Sequence, residues 1–180
     1  MRCSGEVCEL GGWPSVSCVT LRPFTREEYH DFFRRYEPDP LMDPNPYRYQ
    51  FTNVDKSFDF NESRKEWYPT FGIFANGEAV GTLSLKRIDR EKKKCEIGLM
   101  MVNDDCKNKG YGTAAMRKGI SMATQQYGVM HIWADTMGRN LRMQHVLEKL
   151  GFRLVERIRQ VYDMPAGKDD RLVYVLEAEK

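Results

Sequence analysis

Two apolar runs, TFGIFA and AVGTLSLKRI, flank the dipeptide Asn76-Gly77. Asn-Gly between such runs is the strongest short signal for a tight hairpin, because both central residues of the favoured turn need positive φ. The middle of the chain is therefore committed to an antiparallel pair. A charged turn, DREKKK, leads into CEIGLMMV, which adds a third strand.

The period then changes. Met116, Ile120, Ala123 and Tyr127 recur at helical spacing, and Gly128 stops that helix. VMHIWAD reads as a strand. NLRMQHVLEKL reads as a helix with Met143, Val146, Leu147 and Leu150 on one side and Gly151 as its stop. FRLVERIRQVYDM and RLVYVLEA form two last strands around PAGKDD. Upstream, Val16–Phe24 predicts a short strand, and Thr25 with Glu28 makes a capping box for a helix to about Tyr36. EPDPLMDPNPYRYQF, with four prolines, is a loop, and Asp59 with Glu62 repeats the capping spacing before a short helix ending near Tyr68. This order predicts an α/β (α+β) fold: a mixed, mostly antiparallel central sheet of about six to seven strands with helices on both faces.

The 180 residues suit one domain over 16–180 behind a loose leader at 1–15. A net charge of +2 gives no reason to expect a nucleic-acid partner, and no apolar run reaches membrane-spanning length. Cys3, Cys8, Cys18, Cys95 and Cys106 are odd in number and lack zinc-site spacing. With no export signal they point to the cytoplasm. His30, His131 and His145 form no metal-ligand pattern and read as structural. The basic run Lys86–Lys94 reads as a solvated turn, and the methionines as core filling.

KNKGYGTAAMRKGI places Gly110 and Gly112 at a helix entrance. The first N–H groups of a helix lack internal partners, and the helix dipole adds about half a positive charge there. Bare glycines let a phosphate reach those amides; a tight turn is the plainer reason for them. A P-loop is excluded, since no Gly-Lys-Ser/Thr follows. Gly110-Tyr-Gly112-Thr-Ala-Ala115 does satisfy the dinucleotide pattern, with Asp135 about twenty residues on as a ribose-binding acid. Against that nicotinamide-oxidoreductase reading, polar NDDCKNK separates strand from glycines, and too few β-α units follow.

The same segment resembles motif A of the GCN5-related N-acetyltransferases (GNAT), [QR]-x-x-G-x-[GA], with Lys107 where glutamine or arginine is usual. Asn140-Leu-Arg142-Met-Gln-His-Val-Leu147-Glu-Lys149-Leu-Gly151-Phe152 resembles N-x-R-S-x-x-V-L-E-K-L-G-F of that family, most closely in its ribosomal-protein and diamine acetyltransferase branch. The likeness runs from about Val16 to the C-terminus.

That resemblance implies transfer of an acetyl group from acetyl-CoA to a primary amine of a small molecule or a protein N-terminus. It implies a diphosphate on the amides of Lys107, Asn108, Lys109, Gly110, Tyr111, Gly112 and Thr113, and a pantetheine arm paired with Leu99, Met100, Met101 and Val102. A backbone N–H of Leu99 or Met100 would polarise the thioester carbonyl. Asn140 matches the asparagine that reaches the pantetheine; a helix N-cap is its alternative role. Glu96 matches the family's catalytic base, against the reading of a buried carboxylate satisfied by neighbouring amides, Arg or Lys.

Two positions depart from the family. Leu147 stands where many relatives have an acid tyrosine, and Met143 where the branch often has serine. No residue inherits the acid role: Tyr162 is a candidate, against its plainer reading as a core or edge aromatic, and a thiolate can also leave without a protein acid. A non-catalytic acyl-CoA-binding module is the alternative to an enzyme. In this fold the first two helices and their loop shape the acceptor site. Here that region carries Asp39, Asp43, Asp55 and Asp59 among Tyr47, Tyr49, Phe51 and Phe58, which would suit a cationic amine. Protein N-termini, polyamines, aminoglycosides and amino acids all stay open as acceptors, as does a homodimer.

Overall fold

The computed structural model describes residues 19–178. The leader, its cysteines and the Val16–Cys18 part of the first expected strand lie outside them. Seven strands form one sheet in the order β1-β2-β3-β4-β5-β7-β6. They are β1 (Thr20–Arg22), β2 (Thr70–Ala75), β3 (Glu78–Asp89), β4 (Lys94–Met101), β5 (His131–Met137), β6 (Arg153–Tyr162) and β7 (Asp169–Glu177). All neighbours are antiparallel except β4 and β5. A sheet with one parallel pair lacks the repeated parallel units of a dinucleotide fold, so the oxidoreductase reading falls.

The hairpin forms where Asn76-Gly77 placed it, with φ of 51° and 86°. Helix α1 (Arg26–Arg34) opens on the expected box, the Thr25 side chain accepting from the Glu28 amide and Glu28 reaching back. The Arg22 guanidinium on Glu28 holds that carboxyl down at about 2. Helix α2 (Phe51–Ser63) corrects the reading at Asp59: it starts at Phe51, after a Gln50 that makes no side-chain cap, and Asp59 lies inside it. Helices α3 (Tyr111–Tyr127) and α4 (Leu141–Lys149) complete the fold.

Strand alternation divides the core in two. On one face α3 packs against β3 and β4, close enough that a methyl at Gly119 would stand 2.8 Å from Leu83. Leu147 of α4 is fully buried in this larger cluster with Ile97, Met116 and Tyr174. On the other face α1 and α2 bury Phe32, Phe74 and Val54, with Met100 against them.

Candidate active site

β4 and β5 run together only briefly. Their register is Lys94 to His131, Cys95 to Ile132 and Glu96 to Trp133. Beyond that point β4 stays with β3 as far as Met101, while β5 follows β7 as far as Met137. A wedge-shaped cleft of about 360 Å³ opens between them, with Glu96 at its apex. Ser84 and Lys86 of β3, Leu99 of β4, Asp135 of β5, and Asn140 and Met143 at the start of α4 help to line it.

Backbone parity decides which peptide groups face the gap. In an antiparallel pair, N–H and C=O of alternate residues point to alternate sides. Val102 donates to Val80, while the Lys93 carbonyl accepts from Met130 and His131 next to β5. Met100 therefore shares the side of Val102, toward β3, and Leu99 and Met101 share the side of Lys93, toward the gap. Of the four residues singled out from sequence in and just after β4, Leu99 and Met101 offer their peptide groups to the cleft. Met100 and Val102 do not; the Val102 carbonyl is also taken, by the Glu37 amide. The Met100 side chain does line the cleft.

At the open end, the first turn of α3 has no side-chain cap. Gly110 occupies the N-cap at φ 78°, in the left-handed region, and Gly112 lies in the first turn. A methyl on Gly112 would stand 3.1 Å from Leu99. Tyr111, Gly112 and Thr113 follow that uncapped start and Asn108, at φ 59°, precedes it with Lys109, so the loop is held in backbone conformations that few side chains favour. Lys107 points elsewhere: its ammonium donates to Asp39 at 2.7 Å and to Asp104, with Arg142 3.5 Å from Asp104. This network ties the α1–α2 loop, the glycine loop and α4 together. The Lys107 ammonium also holds the Asp104 carboxyl below its usual range.

Glu96 is 3% exposed and bound by two cations, Lys86 at 2.9 Å and Arg87. Lys86 and Arg87, read as part of a solvated turn, lie instead in β3 and converge on Glu96, although Arg87 stays largely exposed. Lys86 is the cross-strand partner of Glu96, so both share a face. Arg87 should point to the opposite face. A bulge after Lys86, with Arg87 at φ 52°, turns it back onto the same carboxylate. Lys86 lies across Gly98, its Cε 3.0 Å from where a Cβ would sit. Burial works against its ammonium, yet the bond to Glu96 and the charges of Glu96, Tyr68 and Asp135 raise it above the usual lysine value.

Asn140 caps α4, its side chain accepting from the Met143 amide at 3.1 Å, and lines the cleft at the same time. On the facing wall Arg171 donates to Asp135 at 2.9 Å. Burial, then the charge of Asp135, push the nearby Tyr162 phenol up. Leu147 points into the core, so its position offers no acid to the cleft.

The expected acceptor carboxylates are already engaged. Asp39 holds Lys107, while Asp55 and Asp59 both hold Arg26, at 2.6 and 2.5 Å. The Asp43 carboxylate accepts from the Asn45 amide at 3.0 Å. Arginines also occupy the aromatic faces: Arg26 lies 4.6 Å over Phe58 and Arg34 5.2 Å over Tyr49. Phe51 stacks on His30, which bonds Tyr49 and Asp55. Among the described residues, no helix is long and apolar enough to cross a membrane.

A domain model described as an acetyltransferase (GNAT) domain matches residues 19–153. No curated protein matches the sequence. Many solved structures share the fold, and three of them illustrate it. A spermidine N-acetyltransferase SpeG chimera from Vibrio cholerae and hSSAT is 14% identical, with a TM-score of 0.79 over 89% of this chain and 96% of that one. Mycobacterium smegmatis RimJ in complex with CoA-disulfide is 21% identical, with a TM-score of 0.76 over 89% and 82%. RimL, a ribosomal-protein alpha-N-acetyltransferase in complex with coenzyme A, is 15% identical, with a TM-score of 0.75 over 91% and 96%. Identities this low speak for the fold. The domain match, spanning most of the sequence and both glycine loop and cleft, carries the family: the chain belongs to the GNAT acetyltransferases.

Proposed function

We propose that the cleft between β4 and β5 is where this protein carries out the reaction of its family, acetyl-CoA-dependent transfer of an acetyl group to an amine. The observation that carries the proposal is the parting of the two strands directly beside an uncapped, glycine-entered helix. The first turn of α3 suits a diphosphate: its amides lack a side-chain cap, and neither Gly110 nor Gly112 puts a side chain in the way. Asn108 to Thr113 would hold that group, since the Lys107 amide already donates to the Asp104 carbonyl at 2.9 Å, with Leu99 and Met101 on the amides of the pantetheine arm and Asn140 on its far side. When bound, acetyl-CoA supplies an activated thioester.

The protein's own groups then have distinct tasks. The Leu99 N–H, aimed into the gap, donates to an oxygen that gains negative charge during acyl transfer. Glu96 receives the proton of the incoming amine, through water where the amine stands back from the apex. Two bound cations hold its carboxylate at the apex, where the amine arrives. Tyr162, kept protonated by burial and by Asp135, returns a proton to the departing thiolate. The free thiols of Cys95 and Cys106 fit a reducing cytoplasm.

Thermal melting of the full chain, followed by a thiol-release assay, tests this. Coenzyme A at about a hundred times its Kd should stabilise by about 2.7 kcal/mol, while NADH should not shift the transition. Acetyl-CoA with a peptide amine should release free thiol above the background rate. Stabilisation by NADH alone, or binding of coenzyme A without thiol release, would contradict the proposal.

A further inference from the structure

We propose that the acceptor is the α-amine of a peptide with acidic residues next to its N-terminus, and that polyamines are rejected. This rests on the cleft being the acetyl-transfer site. Lys86, Glu96 and Asp135 line the cleft, and from its margin Arg87 joins Lys86 on Glu96 while Arg171 holds Asp135, three cations to two carboxylates. Each carboxylate is already bound, so a polycation entering here would have to displace a built-in cation to gain any pairing. The α1–α2 region offers no better reception. Three of its acids, Asp39, Asp55 and Asp59, hold Lys107 and Arg26, and two of its rings carry arginines.

An acidic acceptor meets the opposite conditions. The Arg87 side chain is 64% exposed and places one nitrogen on Glu96, which leaves further guanidinium donors within reach of solvent. Lys86 lies along the cleft floor over Gly98. A carboxylate one or two residues from the reacting amine would gain both charges without breaking a pair. The chemistry of the amine points the same way. A lysine-like amine, near pKa 10.4, needs a strong base, whereas a peptide α-amine, at about 7.7–8.0, is partly neutral at pH 7. Nearby ammonium and guanidinium groups lower the latter further, because like charges disfavour the protonated form.

The test compares kcat/KM for four acceptors with saturating acetyl-CoA and the full chain: the tripeptide amides Ser-Glu-Glu, Ser-Gly-Gly and Ser-Lys-Lys, and spermidine. Free glutamate is added to separate a peptide from an amino acid. Ser-Glu-Glu should exceed Ser-Lys-Lys and spermidine by about tenfold or more at low salt, and the ratio should shrink as salt screens the charges. Arg87→Glu should cut that ratio to about a third or less. Faster turnover of spermidine or Ser-Lys-Lys, or a ratio untouched by both salt and Arg87→Glu, overturns the inference while leaving the acetyltransferase reading standing. Glutamate surpassing Ser-Glu-Glu overturns the peptide assignment. Thiol release from none of them, with coenzyme A still raising the melting temperature, overturns the reading of the site and the inference with it.

Discussion

Gly110→Asp is expected to weaken coenzyme A binding by at least about a hundredfold while moving the melting temperature by no more than about 3 °C. The two halves of that expectation have different causes. Gly110 sits at φ 78° and ψ −4°, a conformation that aspartate tolerates better than most side chains. Its carboxylate would also lie at the positive end of the α3 dipole, which offsets part of the strain. The fold should therefore survive. The same carboxylate would stand where the diphosphate must come. Two like charges about 4 Å apart repel by about 4 kcal/mol at an effective dielectric near 20, more than the roughly 2.7 kcal/mol that a hundredfold needs. Gly110→Asn is the control, because it carries similar strain without the charge. Titration calorimetry should find Asn close to wild type and Asp far weaker. Equal affinities for wild type and Gly110→Asp would remove the diphosphate from the α3 entrance.

Glu96→Gln should lower both stability and turnover, for separable reasons. Removing one partner from a fully buried ion pair costs about 3–5 kcal/mol, because the other charge is stranded. Lys86 is 29% exposed and Arg87 more so, which puts the expected loss near the lower end, about 3 kcal/mol. For a chain of this size that corresponds to a drop in Tm of about 6–12 °C. Turnover should fall by about 10²–10⁴, the usual contribution of a positioned base, with coenzyme A affinity unchanged in the folded fraction. The pair Lys86→Met with Glu96→Leu discriminates the two effects. Replacing both charges by apolar groups should restore most of the Tm but none of the turnover. Full activity in Glu96→Gln, at temperatures where it is folded, would take Glu96 out of the proton path.

Local signals proved legible where a single residue sets the backbone. Asn76-Gly77 made its hairpin, Thr25 with Glu28 made its cap, and Gly128, at φ 67°, ended α3. The glycine loop and the Asn140 helix, read together, carried the family. Tertiary partners were less visible. Asp59 and Glu62 imitate a helix start, yet α2 begins eight residues earlier because Val54 and Phe58 pack on α1, and Asp59 answers Arg26 across that contact. The Lys86–Lys94 run looks uniformly solvated until the β3–β4 register places Lys86 opposite Glu96 and a bulge folds Arg87 onto it. No window of neighbouring residues contains that information, since Lys86 and Glu96 are ten positions apart and the bulge is a property of the pair of strands. The pairing of the acidic α1–α2 region was hidden for the same reason: its partners, Arg26 and Lys107, come from distant segments. The departure at Leu147 was visible in sequence, but only packing explains it, because that side chain fills the core under α4.

The most direct measurement is a backbone amide NMR titration of the full chain with coenzyme A. The largest shifts should fall on Gly110, Tyr111, Gly112 and Thr113 at the α3 entrance and on Leu99 and Met101 along β4, with Met100 and Val102 moving least among their neighbours. Saturation with those α3 and β4 amides unmoved, or with Met100 and Val102 shifting in place of Leu99 and Met101, would contradict a donor held between parted strands on an uncapped helix.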